Sequence, residues 1–252
     1  MAAGFLCSDG VVIAADRQIT GSQYTYQECK LNTLKWANGT AIWGYSGSPD
    51  TAKRLDAELK DCFTPNVSVQ HPIVATGLEL SLTKSLKKKE AFATLFGAWL
   101  DGEESPSLLI SNGVNAVPVS RCEVIGWGDS PLARYLRGLF LKGSSMTNVS
   151  QAIVIAIYFL LQGKNYDGQW VGGGTDVFII DSQHRHRKID VGRTRIWESA
   201  LEAIERENVA LWQSLTGTDS FAHNMAPFSQ FIGKAEFFSA QVRALKAVED
   251  VV

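Results

Sequence analysis

The sequence predicts an α+β fold, a four-layer αββα sandwich in which two antiparallel sheets lie between layers of helices. The first observation is the order of elements along the chain, which is strands, two helices, strands, two helices and strands. The second is the shortness of the turns between successive strands, such as the Asp-Gly pair at 101–102 and the Asn-Gly pair at 112–113, which imply antiparallel pairing. With 252 residues the chain is long enough to bury one large core.

The first strands are visible as apolar runs bounded by turn residues. After an opening strand at 2–7, the continuous apolar run at 11–15 predicts a strand that is buried on both faces and ends at Asp16. The Asn-Gly pair at 38–39 is a type I′ hairpin signal between two further strands. The Ser-Pro pair at 48–49 then favours a helix start, because serine caps a helix and proline suits its first turn.

Later elements are predicted by the spacing of apolar residues. Leucines at helical spacing predict a helix over about 74–90, and the apolar stretch at 148–162 predicts a buried helix. Alternating or apolar runs predict strands at 92–100, 108–111, 114–119, 124–126, 177–180 and 188–191. We expect residues 1–192 to form one domain and residues 193–252 to form a helical extension that packs on this domain or links it to another part.

Composition excludes several classes of function. The net charge is −2 and the pI is about 6.1, so electrostatics do not favour binding to nucleic acid or to an anionic membrane. The apolar run at 152–161 is too short to span a bilayer, and the first residues lack the pattern of a secretory signal. We therefore expect a cytoplasmic protein.

Metal, disulfide and phosphate sites are not predicted. The four cysteines are far apart with no C-x-x-C pair, which favours buried free thiols in a reducing compartment. Alternation would place His184 and His186 on one face of a strand, but no third ligand is evident and flanking arginines favour an exposed hairpin. The glycines at 172–174 precede a strand rather than a helix, so they do not suit a phosphate loop. We expect no metal and no cofactor.

Three residues in the first fifty form the candidate site. Asp16 ends a buried strand, Lys30 follows it by fourteen positions, and Gly47 lies between a strand and a helix start. At such a start, backbone N–H groups without helical partners can bind an oxyanion. The same residues also fit a structural ion pair and a glycine that only eases a turn.

These motifs resemble the proteasome β-type subunits and the related bacterial HslV peptidase, which have the N-terminal-nucleophile (Ntn) hydrolase fold. The resemblance covers roughly residues 2–181, and the order and spacing of its short motifs carry it. The matching segments are GVVIAAD at 10–16, Gln18, Thr20, Gly21, Lys30 with Leu31, GYSGSPDTAKRL from Gly44, GWGDSPLARYL at 126–136, and the glycines at 172–174.

The resemblance implies catalytic roles for the same three residues. In that family an N-terminal threonine, serine or cysteine attacks a peptide bond, and its own α-amino group serves as base. By resemblance the Lys30 ammonium would stabilise the nucleophile, Asp16 would hold that ammonium, and the N–H of Gly47 would stabilise the oxyanion.

Further residues are assigned by resemblance alone. Tyr45 would line the pocket for the substrate side chain before the scissile bond, and its ring would narrow that pocket. The substrate pocket would be formed by Thr20, Gly21 and Tyr45, and the supporting catalytic residues would be Asp129, or Ser130 if the alignment slips by one, and Asp167.

The residue that attacks the peptide bond in this family has no counterpart in the given sequence. The family places it sixteen positions before the aspartate, and only fifteen residues precede Asp16, so an ungapped match places it just upstream of Met1. Neither Met1 nor Ala2 has a side chain that can attack an amide. Either a threonine, serine or cysteine precedes the given start, or the chain is inactive by this mechanism.

The sequence therefore leaves three functions open. The first is a threonine-type peptidase subunit that hydrolyses peptide bonds in a ring of identical copies, with a possible ATPase or other regulator as partner. The second is a catalytically silent structural subunit of the same fold. The third is an Ntn amidohydrolase that acts on a small amide, with the residues after Arg193 restricting its cleft.

Overall fold

The computed structural model describes residues 1–21, 24–87, 90–126, 131–140, 147–216, 232–233 and 236. Twelve strands lie in these residues: β1 Ala2–Cys7, β2 Gly10–Asp16, β3 Gln18–Thr20, β4 Thr25–Gln27, β5 Leu31–Trp36, β6 Gly39–Ser46, β7 Ala93–Leu100, β8 Ser107–Asn112, β9 Ala116–Pro118, β10 Cys122–Ile125, β11 Thr175–Asp181 and β12 His186–Ile189. The helices of this part of the chain are α1 Pro49–Cys62, α2 His71–Ser85, α3 Pro131–Phe140, α4 Val149–Tyr166 and α5 Val191–Thr216.

The first sheet contains the two strands predicted at the start of the chain. Its five strands lie in the order β10-β1-β2-β11-β12, and every neighbouring pair is antiparallel. Ala2 pairs with Ala15 of β2 on one side and with Ile125 of β10 on the other. Every residue of β2 is buried, which is why its sequence shows an apolar run rather than alternation.

The second sheet has five antiparallel strands in the order β5-β6-β7-β8-β9. A hairpin joins β5 to β6 as predicted, but Trp36 pairs with Gly39, so the turn residues are Ala37 and Asn38. Neither Asn38 nor Gly39 has the positive φ of the predicted type I′ turn. A third sheet consists only of β3 and β4, with Gln18 paired to Gln27.

The predicted four-layer sandwich of two antiparallel sheets is wrong in its sheet count. The described residues form an α+β structure with three antiparallel sheets, of five, two and five strands, and with five helices. The aromatic and β-branched residues at 24–26 favour an extended segment, and β4 lies there, but the prediction missed β3 and its pairing with β4, because three residues are too few to show periodicity.

Two hydrophobic clusters of the described residues pack against the second sheet. One cluster joins facing side chains of the two five-stranded sheets, including Val11 and Ile13 of β2 and Leu95 and Trp99 of β7. The other lies between the second sheet and helices α1 and α2. Helix α4 contacts β1, β2 and β11 of the first sheet.

Local capping explains where two helices begin. The side chain of Ser48 caps α1 by accepting a hydrogen bond from the N–H of Thr51, and Pro49 follows in the first turn, as the sequence predicts. Helix α4 begins with a capping box between Asn148 and Gln151. Helix α2 spans His71–Ser85 rather than 74–90.

The chain divides into two compact units, Met1–Thr194 and Arg195–Val252. All twelve described strands and the first four helices lie in the first unit. The packing predicted for the C-terminal extension stays a prediction. Among the described residues, no helix combines the length and the apolar character needed to cross a membrane.

Candidate active site

The carboxylate of Asp16 is the centre of the candidate site. Asp16 is the last residue of β2 and has no exposed surface. Its Oδ1 accepts hydrogen bonds from two amines, the α-amino nitrogen of Met1 at 2.6 Å and Nζ of Lys30 at 2.9 Å. Two amines therefore share one buried oxygen, and close partners of this kind offset the cost of removing a charge from water.

The other oxygen of Asp16 binds two backbone groups. Its Oδ2 accepts hydrogen bonds from the N–H of Gln18 at 3.0 Å and from the N–H of Gly172 at 3.2 Å. Burial alone would raise the pKa of Asp16, but the ammonium groups of Met1 and Lys30 outweigh burial and hold this pKa below its usual 3.8. The side chain is therefore an ionised carboxylate at neutral pH, with four donors around it.

The amino group of Met1 is buried beside this carboxylate. Met1 is only 4% exposed, and its carbonyl oxygen accepts a hydrogen bond from the N–H of Asp16 at 3.3 Å. Burial, opposed in part by the charge of Asp16, lowers the pKa of this amino group from 8.0 to about 6. The thioether of Met1 packs against Gly163. A Cβ atom added at Gly163 would lie only 2.7 Å from the Met1 sulfur, so a larger residue would not fit there without a shift.

A cleft of about 580 Å³ opens above Met1 and Lys30. Its walls come from four parts of the chain that are distant in sequence: the end of β3 with the residues that follow it, the turn between β6 and α1, the residue after β10, and the loop after α4. The lining residues on these walls are Gln18, Ile19, Thr20, Gly21, Tyr24, Ser46, Gly47, Ser48, Pro49, Gly126, Asp167, Trp170 and Val171.

The backbone conformation of Gly47 requires glycine at this turn. Its φ is +126°, and a Cβ atom would lie 2.7 Å from the carbonyl oxygen of Ala91. The residue links β6 to the capped start of α1 and lines the cleft. The role predicted for its N–H in binding an oxyanion stays a prediction.

The other predicted site residues lie in different places. Thr20 and Gly21 line the cleft, and Asp167 does so from the C-terminal end of α4. Tyr45 is not among the cleft residues, since it is 2% exposed and packs in the cluster between the second sheet and the helices, with its ring 5.9 Å from the ring of Phe92. Asp129 and Ser130 lie outside the described residues.

Sequence reasoning missed two groups that complete the site. The backbone of Gly172 reaches Asp16 across 156 positions of sequence, a contact that no local pattern signals. The side chain of Gln18 donates to the carbonyl oxygen of Gln169 at 2.7 Å and to the hydroxyl of Thr20 at 3.2 Å, so it ties β3 to the loop after α4. Within the described residues, no group of three or more His, Cys, Asp or Glu side chains suits a metal ion.

The comparisons with known proteins identify the fold. No protein-family model and no curated protein matches the chain. Among solved structures, Anbu (ancestral beta-subunit) from Yersinia bercovieri matches with a TM-score of 0.71 and 17% identity over 87% of this chain and 99% of that one. Anbu from Hyphomicrobium sp. strain MC1 matches with a TM-score of 0.67 and 16% identity over 87% and 98%. Anbu from Pseudomonas aeruginosa, solved as a helical assembly, matches with a TM-score of 0.62 and 14% identity over 88% and 98%.

These matches correct the resemblance on which the sequence analysis relied. The assignment to proteasome β-type subunits or HslV is wrong, because the matching structures are Anbu proteins, which are proteasome-like but distinct. The short motifs mark strand ends and tight turns, which proteins of one fold share, so they do not separate one family from another. At identities of 14–17% the likeness shows the fold of this chain and not its activity.

Proposed function

We propose that this chain is a proteasome-like hydrolase that cleaves peptide bonds by an N-terminal-nucleophile mechanism. The observation that supports this proposal is the sharing of one buried carboxylate oxygen of Asp16 between the amino terminus, at 2.6 Å, and Lys30, at 2.9 Å, at the base of an open cleft. A purely structural ion pair needs no cleft beside it, whereas a residue joined to the Met1 nitrogen would begin in this cleft, next to Lys30.

The proposed chemistry uses the two amines differently. Burial beside Asp16 lowers the pKa of the Met1 amine to about 6, and we expect burial in the same cleft to keep the amine of a residue joined to Met1 largely unprotonated at pH 7–8, where it can accept a proton. The buried ammonium of Lys30 supplies positive charge beside the attacking atom, and the N–H of Gly47 stabilises the tetrahedral oxyanion. Removal of one such oxyanion donor typically costs about 10²–10³ in rate.

The attacking atom must come from a hydroxyl or a thiol. The thioether of Met1 has no proton to lose and does not attack amides. In the proposed reaction a threonine, serine or cysteine joined to the Met1 nitrogen supplies both the attacking group and its own α-amino group, and the Met1 nitrogen becomes a peptide N–H. The hydroxyl or thiol gives its proton to that new terminal amine, and its oxygen or sulfur bonds to the substrate carbonyl carbon. The C–N bond then breaks, the amine returns the proton to the leaving nitrogen, and water hydrolyses the ester or thioester that remains.

The experiment compares two purified chains with fluorogenic peptides and with small amides as substrates. One chain begins at Met1, and the other carries a single threonine before Met1, exposed by cleavage of an N-terminal fusion. We expect turnover of the peptides only with the threonine chain. If the threonine chain is folded and turns over neither substrate, the proposal is refuted, and turnover of small amides alone would favour the amidohydrolase.

A second candidate function is a catalytically silent subunit. The observation that favours it is the burial of Met1, which is 4% exposed and packs on Gly163, because a thioether in this place cannot attack an amide. We propose self-association in either case, since one matching structure is described as a helical assembly. Light scattering of the Met1 chain tests this, and the monomeric mass at micromolar concentration would contradict it.

A further inference from the structure

Two large aromatic side chains stand exposed at the rim of the cleft. Tyr24 lies between β3 and β4 and is 63% exposed, and Trp170 lies in the loop between α4 and β11 and is 56% exposed. Both line the cleft, whereas the amines of Met1 and Lys30 lie at its buried base. Single exposed apolar side chains are ordinary on a protein surface, but aromatic side chains that share one concave cleft are typical of a ligand site.

Hydrogen bonds hold both rim residues in place. The carbonyl oxygen of Tyr24 accepts a bond from the N–H of Gly21 at 2.8 Å, and the Tyr24 ring lies over Gly21, where a Cβ atom would be 2.7 Å from the ring. The N–H of Trp170 donates to the carbonyl oxygen of Asp167 at 2.9 Å. The neighbouring Gln169 accepts from the side chain of Gln18, so both rim segments are fixed to β3.

The charge of the cleft indicates what these rings bind. Of the described residues that line it, only Lys30 and Asp167 carry charged side chains, and Lys30 is buried and paired with Asp16. The described part of the rim therefore has no free positive group to attract an acidic side chain. Two exposed aromatic rings beside the carboxylate of Asp167 disfavour an acidic group and suit an aromatic or large apolar group, since such groups gain area burial and ring stacking together.

We propose that Tyr24 and Trp170 form a substrate subsite for an aromatic or large apolar side chain of a peptide, at a position remote from the bond that is cleaved. This inference rests on the proposed peptidase function, because it supplies the substrate class of the same cleft. The rim subsite, defined as Tyr24 and Trp170, binds the side chain, and the base of the cleft holds the scissile amide.

Peptide binding tests the rim subsite without requiring turnover. The chain beginning at Met1 is titrated with fluorescent, end-blocked peptides that are identical except for one position, which is Phe, Leu, Ala or Glu, scanned along the peptide. We expect the Phe peptide to bind at least tenfold more tightly than the Glu peptide at one register. The Trp170→Ala variant should lose about tenfold of the affinity for Phe, the size of one good aromatic contact.

Matched variants separate the rim from general surface effects. Tyr135→Ala removes another exposed aromatic ring, 64% exposed on α3 and outside the cleft, and should leave peptide affinity unchanged. Trp170→Phe should keep most of the preference for Phe, because it retains an aromatic ring. Equal losses in Trp170→Ala and Tyr135→Ala would overturn the subsite.

Two further outcomes are informative. If Trp170→Ala changes the oligomeric mass of the chain and leaves peptide selectivity intact, the rim is a contact between copies and the proposal is overturned. If the Phe preference depends on Trp170 but no chain hydrolyses any peptide, the rim subsite is supported and the proposed peptidase function fails. The two proposals therefore fail on different measurements.

Discussion

Replacing Asp16 by asparagine tests the electrostatic account of the site most strongly. The change keeps the size of the side chain but removes its charge and replaces one acceptor oxygen by an NH2 donor. In the native site both oxygens are acceptors, one for the amines of Met1 and Lys30 and the other for the N–H groups of Gln18 and Gly172. In either orientation of the asparagine amide, its NH2 group therefore points at groups that are themselves hydrogen-bond donors.

The expected loss of stability is large for a single isosteric change. Asp16 has no exposed surface and Lys30 is 5% exposed, so water does not replace the lost charge. Breaking a buried ion pair by removing one partner costs about 3–5 kcal/mol. We expect the free energy of unfolding to fall by that amount at pH 7.

Urea denaturation followed by circular dichroism measures this loss. The control is Asp56→Asn, which removes a partly exposed carboxylate paired with Lys60 one turn along α1 and should cost less than about 1 kcal/mol. If the two variants lose the same free energy, or Asp16→Asn loses less than about 1 kcal/mol, the buried charge pair does not stabilise the fold as argued.

The amine of Met1, the turn at Gly47 and the thiol of Cys7 each give a further prediction. Because the pKa of the Met1 amine falls from 8.0 to about 6 on folding, the unfolded chain binds more protons between these values. The free energy of unfolding should therefore rise by about 2 kcal/mol from pH 6 to pH 8 in urea titrations. Acetylation of Met1 should abolish that rise, and an unchanged slope would exclude the amine as its source. Gly47→Ala should cost about 3 kcal/mol in thermal unfolding, since its Cβ would meet the oxygen of Ala91 at a φ of +126°; Gly102→Ala, at a φ of +85° with open space around it, should cost only about 1 kcal/mol. Burial raises the pKa of the Cys7 thiol to about 12, so iodoacetamide at pH 8 should leave Cys7 unlabelled in the folded chain and label it in urea, as read by mass spectrometry; rapid labelling of folded Cys7 would contradict its burial.

The sequence predicted those parts of the fold that local signals specify. Three such parts each depend on a few adjacent residues: the buried run of β2, the presence of a hairpin between β5 and β6, and the capped start of α1 at Ser48. The small β3–β4 sheet was missed, since strands of three residues pair through backbone hydrogen bonds that leave no pattern of side chains.

The candidate site was predictable to a lesser extent. Asp16 and Lys30 lie 2.9 Å apart, because one ends β2 and the other directly precedes β5. Tyr45 instead packs away from the cleft with Trp43, since alternation along β6 places both rings on the face covered by α1 and α2. The contact of Gly172 with Asp16 depends on the packing of the whole first sheet, which a single sequence does not reveal.

The central claim is that Lys30 and the amino terminus form a hydrolytic site around Asp16. The most direct measurement is the rate of peptide hydrolysis by the threonine-extended chain in three forms: unchanged, Lys30→Ala, and Lys35→Ala, which removes an exposed lysine of β5. The account predicts a loss of about 10³-fold or more with Lys30→Ala and full activity with Lys35→Ala. Equal rates in all three folded chains would contradict it.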